Sequence, residues 1–228
     1  MGKNIWIFGD SFSTSFKTQI EGMCSYDYVK YKGYQPKVFS EIISETFNLN
    51  LKDYSHGGSS NQGIFNKFVL NLNQIDKNDI FIFGWTQNVR FNVATKTNGY
   101  LPVILGGADE NTYDFVDIPF QSLVDFANNR LRYSSYWIEV INYIKVINHI
   151  LKNNTVYHWT WVNPSNEYHL GSGNYQKEYY DLLVPFKNYP SITEETNNLI
   201  DDLHWGEKAH SLFASEIMEK IKIYRKLL

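Results

Sequence analysis

The chain has 228 residues, 43% of them apolar and 17% aromatic, and its 21 Lys and Arg against 24 Asp and Glu leave a net charge of −3. That length suits one α/β domain with a sizeable core and is short for two. The charge balance lends no electrostatic support to a nucleic-acid partner, and no run approaches the roughly eighteen apolar residues of a membrane span. Cys24 stands alone, which excludes an intrachain disulfide and a thiolate metal cluster. Met1 to Asn4 leads straight into strand-like residues without an apolar leader. The expected location is therefore cytoplasmic, or virion-associated or released without a signal peptide. The 17 Tyr, 15 Phe and 6 Trp predict either an aromatic core or a surface that stacks on something flat, such as a sugar ring.

Strand and helix patterns alternate along most of the chain. Residues 4–8 read as a buried strand, and residues 36–47 as a helix with Val38, Phe39, Ile42, Ile43 and Phe47 at helical spacing. Residues 49–54 alternate like a strand, and residues 60–72 return to helix, with Ile64, Phe68 and Leu72 on one face. The run "DIFIFGW" (79–85) is continuously apolar, as in strands covered on both faces. The pattern then blurs from about 92 to 132, a stretch holding Gly99, Pro102, Gly106, Gly107 and Pro119 that reads as an insertion or lid.

Ser134 or Ser135 caps a helix that runs to about residue 151, with Trp137, Ile141, Ile144, Ile147 and Leu151 as its buried stripe. "TVYHWTWV" (155–162) is a fourth strand, and an irregular stretch from 164 to 192 holds a short helix near 176–183. A last helix starts at about Glu207, with Phe213, Ile217, Ile221, Tyr224 and Leu228 on one face. This order predicts one mostly parallel sheet with helices on both faces, a three-layer α/β/α sandwich. Ligands of such sheets bind beyond the carboxyl ends of the strands. Ser11, Gly57-Gly58 and Trp85-Thr86 each follow a strand, so all three are expected on that edge.

The run "IWIFGDSFSTSF" (5–16) passes from β-branched and aromatic residues through Gly9 directly to Asp10-Ser11. Ser11 reads either as a helix cap or as a nucleophile on the rim of the sheet. "DDLHWGEKAHSLFA" (201–214) favours the nucleophile. A serine needs a base for its proton, and the base needs an acceptor on its other nitrogen to fix its tautomer. Asp201, three residues before His204, is assigned as that acceptor, with Asp202 as the alternative. Asp10 is assigned to N–H groups of its own turn, His210 to helix packing and His56 to the rim of the site. His149, His158 and His169 show no ligand spacing with one another or with acids, so no metal and no cofactor is expected. Trp85, Trp159, Trp161 and Trp205 divide between the core and a sugar-stacking wall.

With the Asp-His pair, the chain resembles the SGNH (GDSL-type) hydrolase family, whose four short blocks recur in fixed order. Gly9-Asp10-Ser11 stands where the family has its nucleophile block. In "HGGSSNQGI" (56–64), Gly58 takes the place of the oxyanion glycine, and Ser60-Asn61 opens a helix. Asp201-x-x-His204 fills the last block, followed by Ala209-His210 and Phe213-Ala214. The third block departs: the family has Gly-x-Asn-Asp, whereas "GWTQNVR" (84–90) puts Thr86 in the Asn position and Asn88 two residues further on.

The resemblance implies that residues 1–228 form a single domain on a flavodoxin-like sheet. It also implies attack by Ser11 on an ester carbonyl, with His204 as base and Asp201 orienting it. The oxyanion is met by the N–H groups of Ser11 and Gly58 and by a side-chain donor, Thr86 or Asn88, of which the Asn88 carboxamide has the better reach. A helix starting after Ser11 is expected to add positive potential. The leading expectation is thus a serine esterase for a short acyl group, such as acetyl, carried on a small molecule or a carbohydrate. A non-catalytic carbohydrate-binding module and an acyltransferase using the same residues are the alternatives.

Overall fold

Strand β1 (Asn4–Phe8) lies at the centre of the molecule, between β2 (Asn50–Asp53) and β3 (Ile80–Trp85), and β6 (Thr155–Thr160) borders β3. A computed structural model of the chain describes residues 4–18, 24–87, 90–96, 100–103, 116, 118–132, 135–162, 174–185 and 187–227. All three pairings are parallel, in the order β2-β1-β3-β6, with Ile5 opposite both Leu51 and Ile80. Parallel neighbours need crossovers, and the helices that supply them cover both faces. The mostly parallel α/β sandwich expected from the alternation is the observed architecture.

Period-two alternation in β1 and β3 sorts the side chains by shape. Trp6, Phe8, Phe81, Phe83 and Trp85 point to one face, under α3 (Asn61–Leu70), α5 (Ser135–Ile150) and α6 (Asn174–Asp181). Ile5, Ile7, Ile80 and Ile82 point to the other, under α2 (Phe39–Phe47) and α8 (Glu207–Leu227). The aromatic rings lie against one another, Phe8 on Phe83 at 5.1 Å and Trp6 on Phe81 at 5.9 Å between centroids. Each such side chain contributes about 1.5–3 kcal/mol on burial. Much of the aromatic excess is therefore core.

Three further α-helices and a hairpin stand outside this sheet and its covering helices among the described residues. They are α1 (Cys24–Lys32), α4 (Phe120–Arg132), the single turn α7 (Ile192–Glu195), and an antiparallel pair of β4 (Phe91–Ala94) and β5 (Tyr100–Val103). The stretch read as patternless therefore holds the hairpin and α4. These pack on each other through Phe91, Val93, Val116, Leu123 and Ala127, a small cluster separate from the two sheet faces. Phe120, Leu123, Ala127 and Leu131 recur at helical spacing in α4, but they adjoin a Gly- and Pro-bearing stretch and alternate with Gln, Ser, Asp, Asn and Arg, so the helix does not stand out from the insertion. Among the described residues no helix is long and apolar enough to cross a membrane.

Close packing at the carboxyl edge explains Gly84. A Cβ there would come within 2.8 Å of Trp159 Cζ2 and 2.9 Å of Ser13 Oγ, both on buried side chains. We expect Gly84→Ala to lower the unfolding free energy by about 1–3 kcal/mol, as overpacked cores do. Urea titration checks this, and an unchanged midpoint would show that the sheet end has room to yield.

Candidate active site

The strand order reverses direction between β1 and β3, since β2 lies on one side of β1 and β3 and β6 lie on the other. Doubly wound sheets open a crevice at such a switch point, beyond the carboxyl ends of the strands. Ser11 follows β1 and Thr86 follows β3, so both sit at that crevice. The ladder between β1 and β2 continues past the strands, with Tyr54 N donating to Ile7 O at 2.8 Å and His56 N to Gly9 O at 3.1 Å. It brings the Gly57-Gly58 turn beside the serine, where a Cβ on Gly57 would lie 4.0 Å from Ser11 Cβ. Gly58 has φ +77°, a left-handed conformation that favours glycine. Among the described residues the N–H groups of Ser11 and Gly58 make no hydrogen bond. Two unspent donors thus stand near the serine.

Ser11 sits on a turn built around Asp10. Ser13 N and Thr14 Oγ1 donate to the Asp10 carbonyl at 3.0 and 3.1 Å, and Phe12 N donates to Asp10 Oδ1 at 3.1 Å. No α-helix starts at Ser11, contrary to expectation. Residues 11–14 form the turn and 16–18 a single 3-10 turn, so the potential of an adjoining α-helix terminus is not available there. The Asp10 carbonyl, which would have fed a helix, is occupied by the Ser13 and Thr14 donors.

His204 Nε2 lies 2.8 Å from Ser11 Oγ, and His204 Nδ1 lies 2.6 Å from Asp202 Oδ1. The acid at the histidine is thus Asp202, and Asp201 is exposed to solvent. The reason is local geometry, because a spacing of three suits a helical turn and this segment is extended. Thr193 Oγ1 receives Asp202 N at 2.7 Å and donates to Asp202 O at 3.0 Å, while Ile192 N donates to His204 O at 2.8 Å. In extended chain, residues two apart share a side. Asp202 Oδ1 also accepts His204 N at 2.9 Å, closing an Asx turn. Burial pushes the Asp202 carboxyl up, but the hydrogen bonds from the His204 side chain and backbone outweigh it and hold the carboxyl below the usual carboxylate range. Ionised Asp202 only accepts, so Nδ1 keeps the proton and the Nε2 lone pair is left for the Ser11 hydroxyl.

Glu195 and Tyr28, which no sequence motif marks, hold this loop. Glu195 accepts Lys208 N at 2.8 Å at the start of α8 and Tyr28 Oη at 2.7 Å, and Tyr28 Oη in turn receives Glu207 N at 2.8 Å. A Cβ on Gly206 would overlap the Glu195 carboxylate. Together they fix the beginning of α8 just after His204.

At the third block, Asn61 pins the backbone of Thr86. Its Oδ1 accepts Thr86 N at 2.8 Å and its Nδ2 donates to Thr86 O at 3.0 Å. The Thr86 hydroxyl is buried and has no hydrogen-bond partner among the described residues. Asn88 lies outside the described residues. The tryptophans near the edge do not form an open wall, because Trp85, Trp159 and Trp205 are buried. The half-buried Trp161 stacks on Phe12 at 4.5 Å between centroids. His210 is buried among Phe16, Phe39 and Trp205, and His56 is exposed beside Gly57.

No protein-family model and no curated protein matches the chain. Solved structures are similar to it in chain course at low identity. One is a carbohydrate esterase whose active site displays divergent catalytic and non-catalytic binding functions, at 12% identity and TM-score 0.49, over 97% of this chain and 69% of that one. Another is the psychrotrophic esterase EstA from Pseudoalteromonas sp., at 16% identity and TM-score 0.40, over 98% and 99%. A third is a lipase/acylhydrolase from Enterococcus faecalis, at 13% identity and TM-score 0.43, over 96% and 95%.

Two buried histidines near this edge make stability depend on pH. Burial lowers both His158 and His210 to about 3, from an ordinary 6.5. Below pH 6.5 the unfolded chain therefore binds protons that the native state refuses. Stability is fully present above that value and declines as pH falls toward 3. Urea unfolding at pH 7.5 and pH 5 checks this: we expect a lower midpoint at pH 5 and a shallower decline in His210→Phe. Equal midpoints in the parent at both values would contradict it.

Proposed function

We propose that the chain is a serine esterase of the SGNH type, acting on a short acyl ester. The observation that carries this reading is the continuous relay of Ser11, His204 and Asp202, at 2.8 and 2.6 Å, beside two unspent backbone donors. Ser11 Oγ attacks the ester carbonyl while His204 Nε2 takes its proton, and Asp202 holds the ring and stabilises the imidazolium. The developing oxyanion is received by the N–H groups of Ser11 and Gly58. His204 then gives the proton to the leaving alcohol, and water repeats the sequence on the acyl-serine.

A third donor falls to Asn88 by the chemistry of its carboxamide, since the Thr86 hydroxyl is buried. The hairpin and α4 are assigned to a wall of the pocket, because Ser60 Oγ, next to the Gly57-Gly58 turn, donates to Asn92 Oδ1 at 2.7 Å. A carbohydrate as the alcohol has less support, since the edge tryptophans are taken up by packing.

The test compares the two acids. With p-nitrophenyl acetate, Ser11→Ala and His204→Ala should each remove nearly all turnover. Asp202→Asn should lower kcat by roughly three to four orders of magnitude through loss of tautomer control. Asp201→Asn should stay within a few-fold of the parent. A larger loss in Asp201→Asn, or a parent inert toward a panel of short esters, would overturn the assignment.

A further inference from the structure

Asp10 precedes the proposed nucleophile, is fully buried, and gathers donors from three strand ends. Oδ1 accepts Phe12 N from the Ser11 turn at 3.1 Å. Oδ2 accepts Trp161 Nε1, just beyond β6, at 2.7 Å and Arg90 Nη1, just before β4, at 3.2 Å. The Arg90 guanidinium also lies over the Trp161 ring, 5.7 Å from its centroid. The Phe12 ring, stacked on Trp161, is 4.8 Å from the His204 ring. A single carboxylate thus ties the backbone that carries Ser11 to the aromatic pair beside His204.

We infer that Arg90 and Trp161 are positioning residues which, through the Asp10 carboxylate, set the alignment of Ser11 with His204. This rests on the esterase reading for its kinetic consequence, though not for its geometry. A buried carboxylate needs a compensating charge, and Arg90 supplies the one seen beside Asp10. Without it, the Asp10 carboxylate turns toward solvent, and in turning it releases Phe12 N and the turn that holds Ser11. Trp161 acts from the other side. Its N–H fixes Oδ2 and its face fixes Phe12, against which the His204 ring rests. Lysine is a poor substitute for Arg90, because an ammonium lacks the planar fork that bonds a carboxylate and stacks on an indole at once.

The variants are Arg90→Met, Arg90→Lys and Trp161→Phe, each checked for folding by thermal melting. With p-nitrophenyl acetate, Arg90→Met should lose about tenfold to a hundredfold in kcat with KM little changed, the cost of a small misplacement of reacting groups. Arg90→Lys should recover part of that loss, and Trp161→Phe should lose several-fold in kcat. The second readout is the NMR signal of the His204 imidazole, which should shift or broaden in Arg90→Met and Trp161→Phe without any substrate. Folded variants with parental kcat and an unmoved His204 signal would overturn the inference. If Arg90→Met fails to fold, Trp161→Phe, which keeps the charge pair, decides alone. A parent inert toward esters would remove the esterase reading, and the His204 signal would then decide whether the brace exists.

Discussion

All four strands of the main sheet run in the same direction, and their carboxyl ends therefore lie along one edge. The placement of the candidate site residues depends on that constraint. Ser11 follows β1, Gly57-Gly58 follows β2, and Thr86 follows β3. Trp161 follows β6, while the segment with Asp202 and His204 reaches the edge just before α8. Residues separated by 193 positions come within hydrogen-bond distance because the sheet leaves their loops nowhere else to meet. The rigidity of the edge has a local source as well. Gly84 lets Ser13 and Trp159 close over the end of β3, and Asn61 holds Thr86 by both backbone groups.

Charge is handled within this edge by pairing. Asp202 Oδ1 accepts from His204 twice, once from the ring and once from the backbone, and Thr193 Oγ1 accepts the Asp202 N–H and donates to the Asp202 carbonyl. Asp10 faces Arg90 across 3.2 Å with Trp161 on the same oxygen. Two carboxylates therefore flank Ser11 and His204 in different roles. One accepts from the histidine that touches the serine, and the other accepts from the turn on which the serine stands. Their separate partners are why two neighbouring acids need not compete for one proton donor.

The sheet was legible in the sequence because its strands are short apolar runs and its main helices carry long apolar stripes. Residues 4–8, 79–85 and the stripe of α5 illustrate this. Helix α1 was not, because its apolar residues form no stripe, and α4 was not, because its short stripe of Phe120, Leu123 and Ala127 adjoins a stretch rich in Gly and Pro. At the site, Ser11 and His204 were nameable from residue type and neighbours alone. The acid was not. Asp201 and Asp202 differ only in whether the chain before α8 is helical or extended, and Thr193 and Ile192 decide that by hydrogen bonds from a different segment. Arg90 could not be found either, and Trp161 was read only as core or sugar-stacking wall, since a lone Arg and one Trp among several carry no sign of this role until they share an oxygen of Asp10.

The central claim, that Ser11 is a nucleophile activated by His204, is tested most directly by covalent trapping. Parent protein would be treated with an organophosphonate bearing a p-nitrophenolate leaving group at neutral pH, and the adduct located by peptide mass spectrometry. The account predicts one equivalent of p-nitrophenolate released and a single adduct on Ser11, lost in His204→Ala while the fold remains intact. An adduct on another residue, or equal labelling of parent and His204→Ala, would contradict it.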